Sequence, residues 1–580
     1  MTSTRKLGFA LSVLSLTGCN SLIGDGATSS ASAGGAGGSS GMSGSAGVSG
    51  SAGVSGSAGV SGSAGVGGSA GVSGSGGSTA SGGTGAASSG GAAGSAGAGG
   101  SGGTEPTGPI PRIFYTDITH APVSGGPDVG GALVTIYGLD LGGTQGRVTF
   151  EGSDLTVKIW GTAAYRGMRK VVAQIPAGTS AMAGQLEVIS SGNQVSNQLQ
   201  LVTTQRKILY VSPSGTGDGS FGTPTSLSGL KALYSPGDLV YLRAGNYDQD
   251  IPNCSNGDNC AWSVDLTSTS TSANPVQIVG FPGEEVTFHN AADALVVRQS
   301  FLRLANLKLH VGSGAALVMI DAKKVALVGS ELWADMGYMT AIGSTGGESD
   351  YEVTGNYIHH FASGTINFSP VSSRTVRFNQ FEQIERVLEV DLTLNEQIDD
   401  YGNSATTIGI YAWLLGCGAN DACSTPPGAP TVNAFNNIIG SARYFAFQFG
   451  ANSTQPSVSL LHNTVTDAQC GVGSSDPAIA VDATVQGNVV SSTRVTCTDD
   501  TALTTNVVAF DGQKNHWGSA TAPDADPTGV TGALNLDADS KPNASSSVCG
   551  GIARGTAPLD VDALGVSRKD PTAFGAYECP

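Results

Sequence analysis

The sequence predicts an all-β protein, a small β-sandwich followed by a long stack of parallel β-helix coils, behind a Gly/Ser/Ala-rich N-terminal segment. Two observations carry that expectation. From Pro109 to about Thr204, short alternating or β-branched runs are separated by Gly, Pro, Ser and Asn at intervals of roughly 10 to 15 residues. Beyond Lys207, apolar positions recur about every 25 residues, most of them with an asparagine two positions ahead.

The N-terminal segment comes first. "MTSTRKLGFALSVLSLTGC" places Arg5 and Lys6 before an apolar run from Leu7 to Leu16, with small residues before Cys19. This is the pattern of an export signal, and its apolar run is too short to span a bilayer permanently. "LTGC" resembles the bacterial lipobox. The resemblance implies a signal peptide over residues 1–19 and lipidation of Cys19. With Asn20 next, it implies delivery to the outer membrane or cell surface, the lipid anchor being the one contact with the membrane.

Residues 20–108 read as a disordered linker. From Gly24 to Thr104 Asp25 is the one charge, and the repeated "SGSAGV" places Val at 48, 54, 60, 66 and 72. One Val in six residues cannot bury enough apolar surface to offset backbone entropy. As a Gly-rich coil the segment would span roughly 50 Å r.m.s.. The formal net charge of −18, without a Lys/Arg cluster, argues against a nucleic-acid partner. Nine cysteines leave eight once Cys19 is set aside, an even number for an exported chain and enough for four disulfides. Spacing suggests Cys254 with Cys260, Cys417 with Cys423, Cys470 with Cys497, and Cys549 with Cys579, without fixing the connectivity. No CxxC occurs, which argues against a cysteine zinc site.

The sandwich is expected over residues 109–204. "GGALVTIYGLDLG", "GRVTFEG", "KVVAQIPAG", "GQLEVISSG" and "SNQLQLV" each read as a strand bounded by turn residues. "TIYGLDL", "IPAG" and "VSNQLQL" resemble the IPT/TIG domain, an immunoglobulin-like module. That family implies a spacer, packing or glycan-binding role.

The β-helix is expected over residues 205–580. Leu309, Leu332, Ile358, Phe381, Ile439, Val465 and Val490 occupy one inward position at spacings of 23, 26, 23, 58, 26 and 25 residues. The value of 58 reads as an insertion over roughly Leu388 to Thr431. Asn356, Asn379, Asn437, Asn463 and Asn488 stand two residues ahead of five of these, where a bend can use stacked asparagine side chains and left-handed backbone. "SLSGLKALY" is the one good helix candidate, inside an N-terminal cap over residues 207–247. "YVSPSG", "PGDLVYLRAGNY", "GFPGEEV" and the "GAYE" ending resemble the pectate-lyase-like superfamily of right-handed parallel β-helices.

Alternation then assigns faces. Lys308, Glu331, Tyr357 and Gln380 precede the inward residues, while His310, Trp333, His359 and Glu382 follow them. Arg303, Glu352 and Arg377 fall on outward positions of the preceding strand, and later coils are bland. Adjacent His359 and His360 should face opposite ways, with His360 turning the corner. The reading is a polysaccharide groove in which Trp333, Tyr357, His310, Arg303 and Glu382 contact sugar. The partner would be an extracellular or envelope polysaccharide, bound without a recognisable catalytic motif. The alternative is a lyase acting on a uronic-acid polymer, as in the family resembled. It would use Lys308, Arg377 or His359 as catalytic groups and a Ca2+ ion near Glu331, Glu352, Asp399 and Asp400, with Glu385, Glu389, Asp391 and Glu396 nearby.

Overall fold

The structure, a computed structural model, describes residues 108–580 apart from internal stretches, of which 416–430, 493–514 and 519–529 are the longest. Cys19, the signal and most of the linker lie outside the described residues, as do Cys417, Cys423, Cys497, Asp391, Glu396 and the side chains of Cys470 and Glu389. The described residues belong to one compact unit, Ala98–Pro580. The expected fold class is borne out: the chain is all-β, with long parallel sheets.

Two sheets pack face to face in the first part. Arg112–Thr116, Leu133–Leu139, Arg169–Gln174 and Thr156–Ala163 form one in that order. His120–Pro122, Leu199–Thr204, Ala183–Ile189, Arg147–Phe150 and Ser153–Asp154 form the other. Ile136, Val148, Val171, Leu186 and Leu201 come from the five runs that the sequence marks as strands, and all are fully buried in the shared core.

The second part is a parallel β-helix. In a typical coil Leu302–Ala305, Lys308–Val311 and Leu317–Ile320 follow one another, and each pairs in parallel with its counterpart one coil later. Among the described residues, the first strand of each coil joins an eleven-stranded sheet, while the others join a seventeen-stranded sheet. Leu309, Leu332, Ile358, Phe381, Ile439, Val465 and Val490 all lie buried in the central column. Leu227–Leu233 is helical, with the Ser226 hydroxyl accepting from the Gly229 amide, and Leu227 and Leu230 close the core at the N-terminal end.

Two expectations need correction. The 58-residue interval is not a plain insertion: it contains a whole coil, Gln397–Tyr401 and Ser404–Leu415, with Ala405 in the inward column between Phe381 and Ile439. A small Ala and the longer interval of 34 residues from Ala405 to Ile439 hide that coil from a periodicity reading. Nor do the asparagines adopt the left-handed backbone. The residue before each does: Gly355, Phe378, Gly402, Asn436, His462 and Gly487 have φ between 54° and 68°.

The asparagines themselves form a buried ladder. The Asn379 Oδ1 accepts from the backbone N–H of Asn356 at 2.9 Å and from its Nδ2 at 3.0 Å. The Asn379 Nδ2 donates to Val353 O at 2.8 Å and to Asn403 Oδ1 at 3.0 Å. The same pattern runs from Ser330 through Asn356, Asn379, Asn403, Asn437, Asn463 and Asn488 to Asn515. Each amide thereby satisfies the bend of the coil before it and hydrogen-bonds the asparagine of the coil after it.

The sandwich sits on the eleven-stranded sheet, and its core is continuous with Tyr210, Tyr241, Val279, Ala305, Val328 and Phe378 of the β-helix. The Tyr115 hydroxyl lies where a Cβ on Gly355 would be, and the Tyr137 hydroxyl lies 2.7 Å from a Cβ on Gly329. Glycine at these bends serves both the left-handed backbone and the close approach of a tyrosine. Arg303 belongs to this junction: it donates to Thr116 O at 2.6 Å and Asp117 O at 2.9 Å, and pairs with Glu352 at 3.3 Å. Arg377 pairs with the other oxygen of Glu352 at 2.8 Å and donates to Tyr401 Oη at 2.9 Å. Burial would raise the Glu352 pKa, but the charges of Arg303 and Arg377 outweigh it and bring it down to about 2.

Two predictions follow from the ladder and the junction. Asn379→Ala strands the Asn356 amides and the Val353 carbonyl in the interior, and should cost about 2–4 kcal/mol in urea unfolding. Equal stability of variant and parent would refute the ladder's role. At Glu352 the folded pKa lies below the unfolded one. Its ionised form therefore contributes stability that is present above pH 4.5 and lost as the pH falls toward 2. Thermal melts between about pH 5 and 3 should show a smaller loss for Glu352→Gln than for the parent chain; identical slopes would contradict this.

Candidate functional site

The first strand position of the seventeen-stranded sheet carries an outward strip. Alternation about the inward column makes two rows along the coil axis. One runs Thr287, Lys308, Glu331, Tyr357, Gln380, Ser404, and the other His289, His310, Trp333, His359, Glu382, Thr406. Neighbouring rungs stand about 4.8 Å apart, so each side chain meets its counterpart on the next coil.

The contacts are extensive. Lys308 Nζ lies 2.9 Å from Glu285 and 3.5 Å from Glu331, whose other oxygen is 3.3 Å from His359 Nε2. Tyr357 Oη donates to Glu382 Oε2 at 2.7 Å. The rings form a ladder: His289 to His310 at 4.7 Å, His310 to Trp333 at 4.7 Å and Trp333 to His359 at 6.0 Å. Tyr357 stacks on His359 at 4.2 Å and meets Tyr165 of the sandwich at 5.3 Å. Trp333 and Tyr357 thus have a neighbouring ring on each side, so they offer edges and polar atoms more than open faces. Sugar stacking on Trp333 or Tyr357, as the sequence suggested, is not the contact this packing favours.

Charge states follow from these partners. Burial would lower the Lys308 pKa, but hydrogen bonds and charge from Glu285 and Glu331 prevail and raise it. The His359 hydrogen bond is the largest influence on Glu331, whose pKa is lowered. Burial and the hydrogen bond to Glu382 raise Tyr357.

The strip unites Lys308, His310, Glu331, Trp333, Tyr357, His359 and Glu382. It excludes Arg303, Glu352 and Arg377, which lie on the eleven-stranded sheet under or beside the sandwich. Burial lowers the Arg377 pKa, but Glu352 outweighs it and the net shift is upward, so Arg377 is held as a cation and is not placed to act as a base. The four carboxylates expected around Ca2+ do not converge. Glu331 belongs to the strip and Glu352 to the junction. Asp399 accepts from Asn433 Nδ2 at 2.9 Å two rungs along from Glu352, and Asp400 is fully buried beside Asn403. His360 turns the corner as expected, left-handed at φ 62°, but that turn brings its Nδ1 to 2.5 Å from that of His359, so the two rings meet instead of facing opposite ways.

Three residues escaped the sequence reading. His289 and Asp335 extend the strip, and the ring of His289 could have been found by carrying the register back one coil to Phe288. Tyr165 comes from the sandwich, and nothing in the local sequence points from it to the β-helix. The bland later coils have a cause as well. Ile438 and Val489 face outward, but the C-terminal segment packs on them through Ala563, Ala576, Tyr577, Val548 and Phe574. Arg568 fastens that segment by donating to Asn436 Oδ1 and Gly575 O, both at 2.8 Å. Arg166 of the sandwich donates its backbone N–H to Gln380 Oε1 at 3.3 Å and lies near enough to Tyr577 for the two charges to influence each other. Cys549–Cys579 and Cys254–Cys260 are disulfides.

No protein-family model matches this chain, and no curated protein matches it in sequence. Among solved structures it is similar to the pectate lyase Pel9A, at 14% identity and a TM-score of 0.36 over 64% of this chain and 96% of that one. It is also similar to a Yersinia enterocolitica family 28 exopolygalacturonase, at 7% identity and 0.29 over 65% and 99%. Dex49A from Penicillium minioluteum aligns at 11% identity and 0.25 over 69% and 80%. At these identities and scores the likeness carries nothing about what this chain binds.

Proposed function

We propose that the chain is a lipid-anchored cell-surface protein whose β-helix binds an extracellular polysaccharide along the outward strip. The observation that carries this reading is the strip itself. Lys308, Glu331, Trp333, Tyr357, His359 and Glu382 are fixed by one another across successive coils, with polar edges available at regular spacing. A repeating ligand suits a repeating surface, and rigid polar groups lose little entropy on binding hydroxyls or carboxylates. The "LTGC" motif at Cys19 supports the anchor, and the linker after it would hold the folded part away from the membrane. The resemblance of residues 109–204 to the IPT/TIG module supports a spacer that also seats and walls the strip, through Tyr165.

The catalytic alternative, cation-assisted β-elimination, asks for a neutral base beside a bound cation. Lys308 and Arg377 are both held charged by carboxylates, which leaves His359 as the group to test.

The test is affinity electrophoresis and a glycan array with the whole chain, using pectin, alginate, glycosaminoglycans and neutral glucans. Glu382→Gln together with Tyr357→Phe should weaken binding roughly 10- to 100-fold, the loss expected of one or two charge-assisted contacts. Arg303→Met, beneath the sandwich, should leave glycan affinity unchanged. Ultraviolet absorbance of unsaturated products from uronate polymers with Ca2+, lost in His359→Ala, would favour the lyase. Absence of binding to any polysaccharide would overturn the proposal.

A further inference from the structure

At the first coils of the strip, and independent of whether the strip binds polysaccharide, the geometry points to a transition-metal site at His289, His310 and Asp335. One ligand atom from each side chain lies within 4.8 Å of the other two, and among the described residues this cluster of histidine and carboxylate side chains could hold a metal ion.

Its construction follows from the coil register. His289 and His310 are directly paired on adjacent strands, Val286–Asn290 and Lys308–Val311, so their imidazoles share one side of the sheet. The residues beneath them, Phe288 and Leu309, are fully buried and fix the backbone. Trp333, on the next rung, lies against the His310 ring with only 13° between their planes, which limits how that ring can turn. Asp335 stands two residues beyond Trp333 on the same side. It reaches back one rung to place Oδ1 2.6 Å from His310 Nε2, while its backbone N–H donates to Val311 O at 3.0 Å. Three donors from three successive coils therefore gather at one point, open to solvent on the Asp335 side.

The donor set selects the ion. Two imidazoles and one carboxylate match Zn2+ and similar first-row divalent ions, which take nitrogen at about 2.0–2.1 Å and carboxylate oxygen at about 2.0–2.2 Å. Such bond lengths require donors about 3.3 Å apart in tetrahedral geometry, which small rotations of the half-exposed His289 and exposed Asp335 side chains supply. A Ca2+ ion, which prefers six to eight oxygens, is poorly served here. With three protein ligands the fourth position is left for water or an incoming oxygen. The ladder contact between His289 and His310 then gains a second meaning: metal binding would clamp neighbouring coils where no covalent link joins them.

The experiment is isothermal titration of the untagged, metal-stripped whole chain with ZnCl2, and separately with CaCl2, in the absence of any polysaccharide. The expected result is one equivalent of Zn2+ with Ca2+ binding at least 100-fold weaker. His289→Ala and His310→Ala should each weaken Zn2+ binding at least tenfold. Asp335→Asn, at an exposed position that leaves the fold untouched, should weaken it measurably. His359→Ala, two rungs away in the other imidazole cluster, should leave it unchanged. Co2+ in place of Zn2+ should give visible absorption bands that vanish in His310→Ala, a readout that a change in packing would not produce. The proposal is overturned if the parent chain takes up no Zn2+, or if uptake persists equally in His289→Ala and His310→Ala, which would assign it to thiols or to His359 and His360. Loss of glycan binding with Zn2+ uptake intact would strike the polysaccharide reading and leave this one standing.

Discussion

Burying polar backbone at every bend is the constraint on which this molecule depends. A β-helix must turn its chain once per strand, and each turn leaves amides and carbonyls that no strand ladder reaches. The asparagine column solves this at one corner of seven or more coils. Each side-chain amide is a donor and acceptor pair at fixed distance, so it bridges the coil before and the coil after. Because every amide needs both neighbours, the coils gain order together. The rest of the structure inherits its registration from that column: the inward residues two positions later, the outward rows on either side of them, and the approach of the sandwich tyrosines to glycines just ahead.

Most of this architecture is legible in the sequence because it repeats. A position that recurs near every 25 residues cannot be hidden by local variation at one coil, and Asn356, Asn379, Asn437, Asn463 and Asn488 mark it plainly. The coil carrying Asn403 is less visible, since Ala405 is a weak inward marker and its "GNSA" lacks the large apolar residue of the others. The left-handed residue is harder still to place. Phe378 and His462 adopt the conformation that Gly355 and Gly487 adopt elsewhere, so composition at that position does not announce it.

The candidate site is legible only by halves, for a different physical reason. Alternation separates inside from outside, but a β-helix has several outsides, and another domain can cover one of them. Arg303, Glu352 and Arg377 look like solvent-facing charge in sequence. Their neighbours Thr116 and Asp117 lie 186 or more residues away, and it is those backbone carbonyls that turn a surface arginine into a junction arginine. Similarly, Ile438 and Val489 look like an uninformative surface because the segment that covers them comes from the end of the chain. What remains uncovered between these two docked pieces is the strip of Lys308 to Glu382, so its position is decided by what is hidden on either side.

Arg166 of the sandwich, seated on Gln380 of the strip, comes close enough to Tyr577 of the C-terminal segment for their charges to influence each other, and so brings those two pieces together. The sandwich is locked in place along the stack by Tyr115 and Tyr137, and the C-terminal segment by Arg568 on Asn436. A side chain of fixed reach spanning from one to the other works as a gauge. Repeat proteins commonly drift in length by gaining or losing units, since one coil is much like the next. Here an added coil between Tyr357 and Ile438 would part the clasp, and a lost one would jam it. Length variation during evolution should therefore be confined to segments outside the stack, while the number of coils beneath the clasp stays constant.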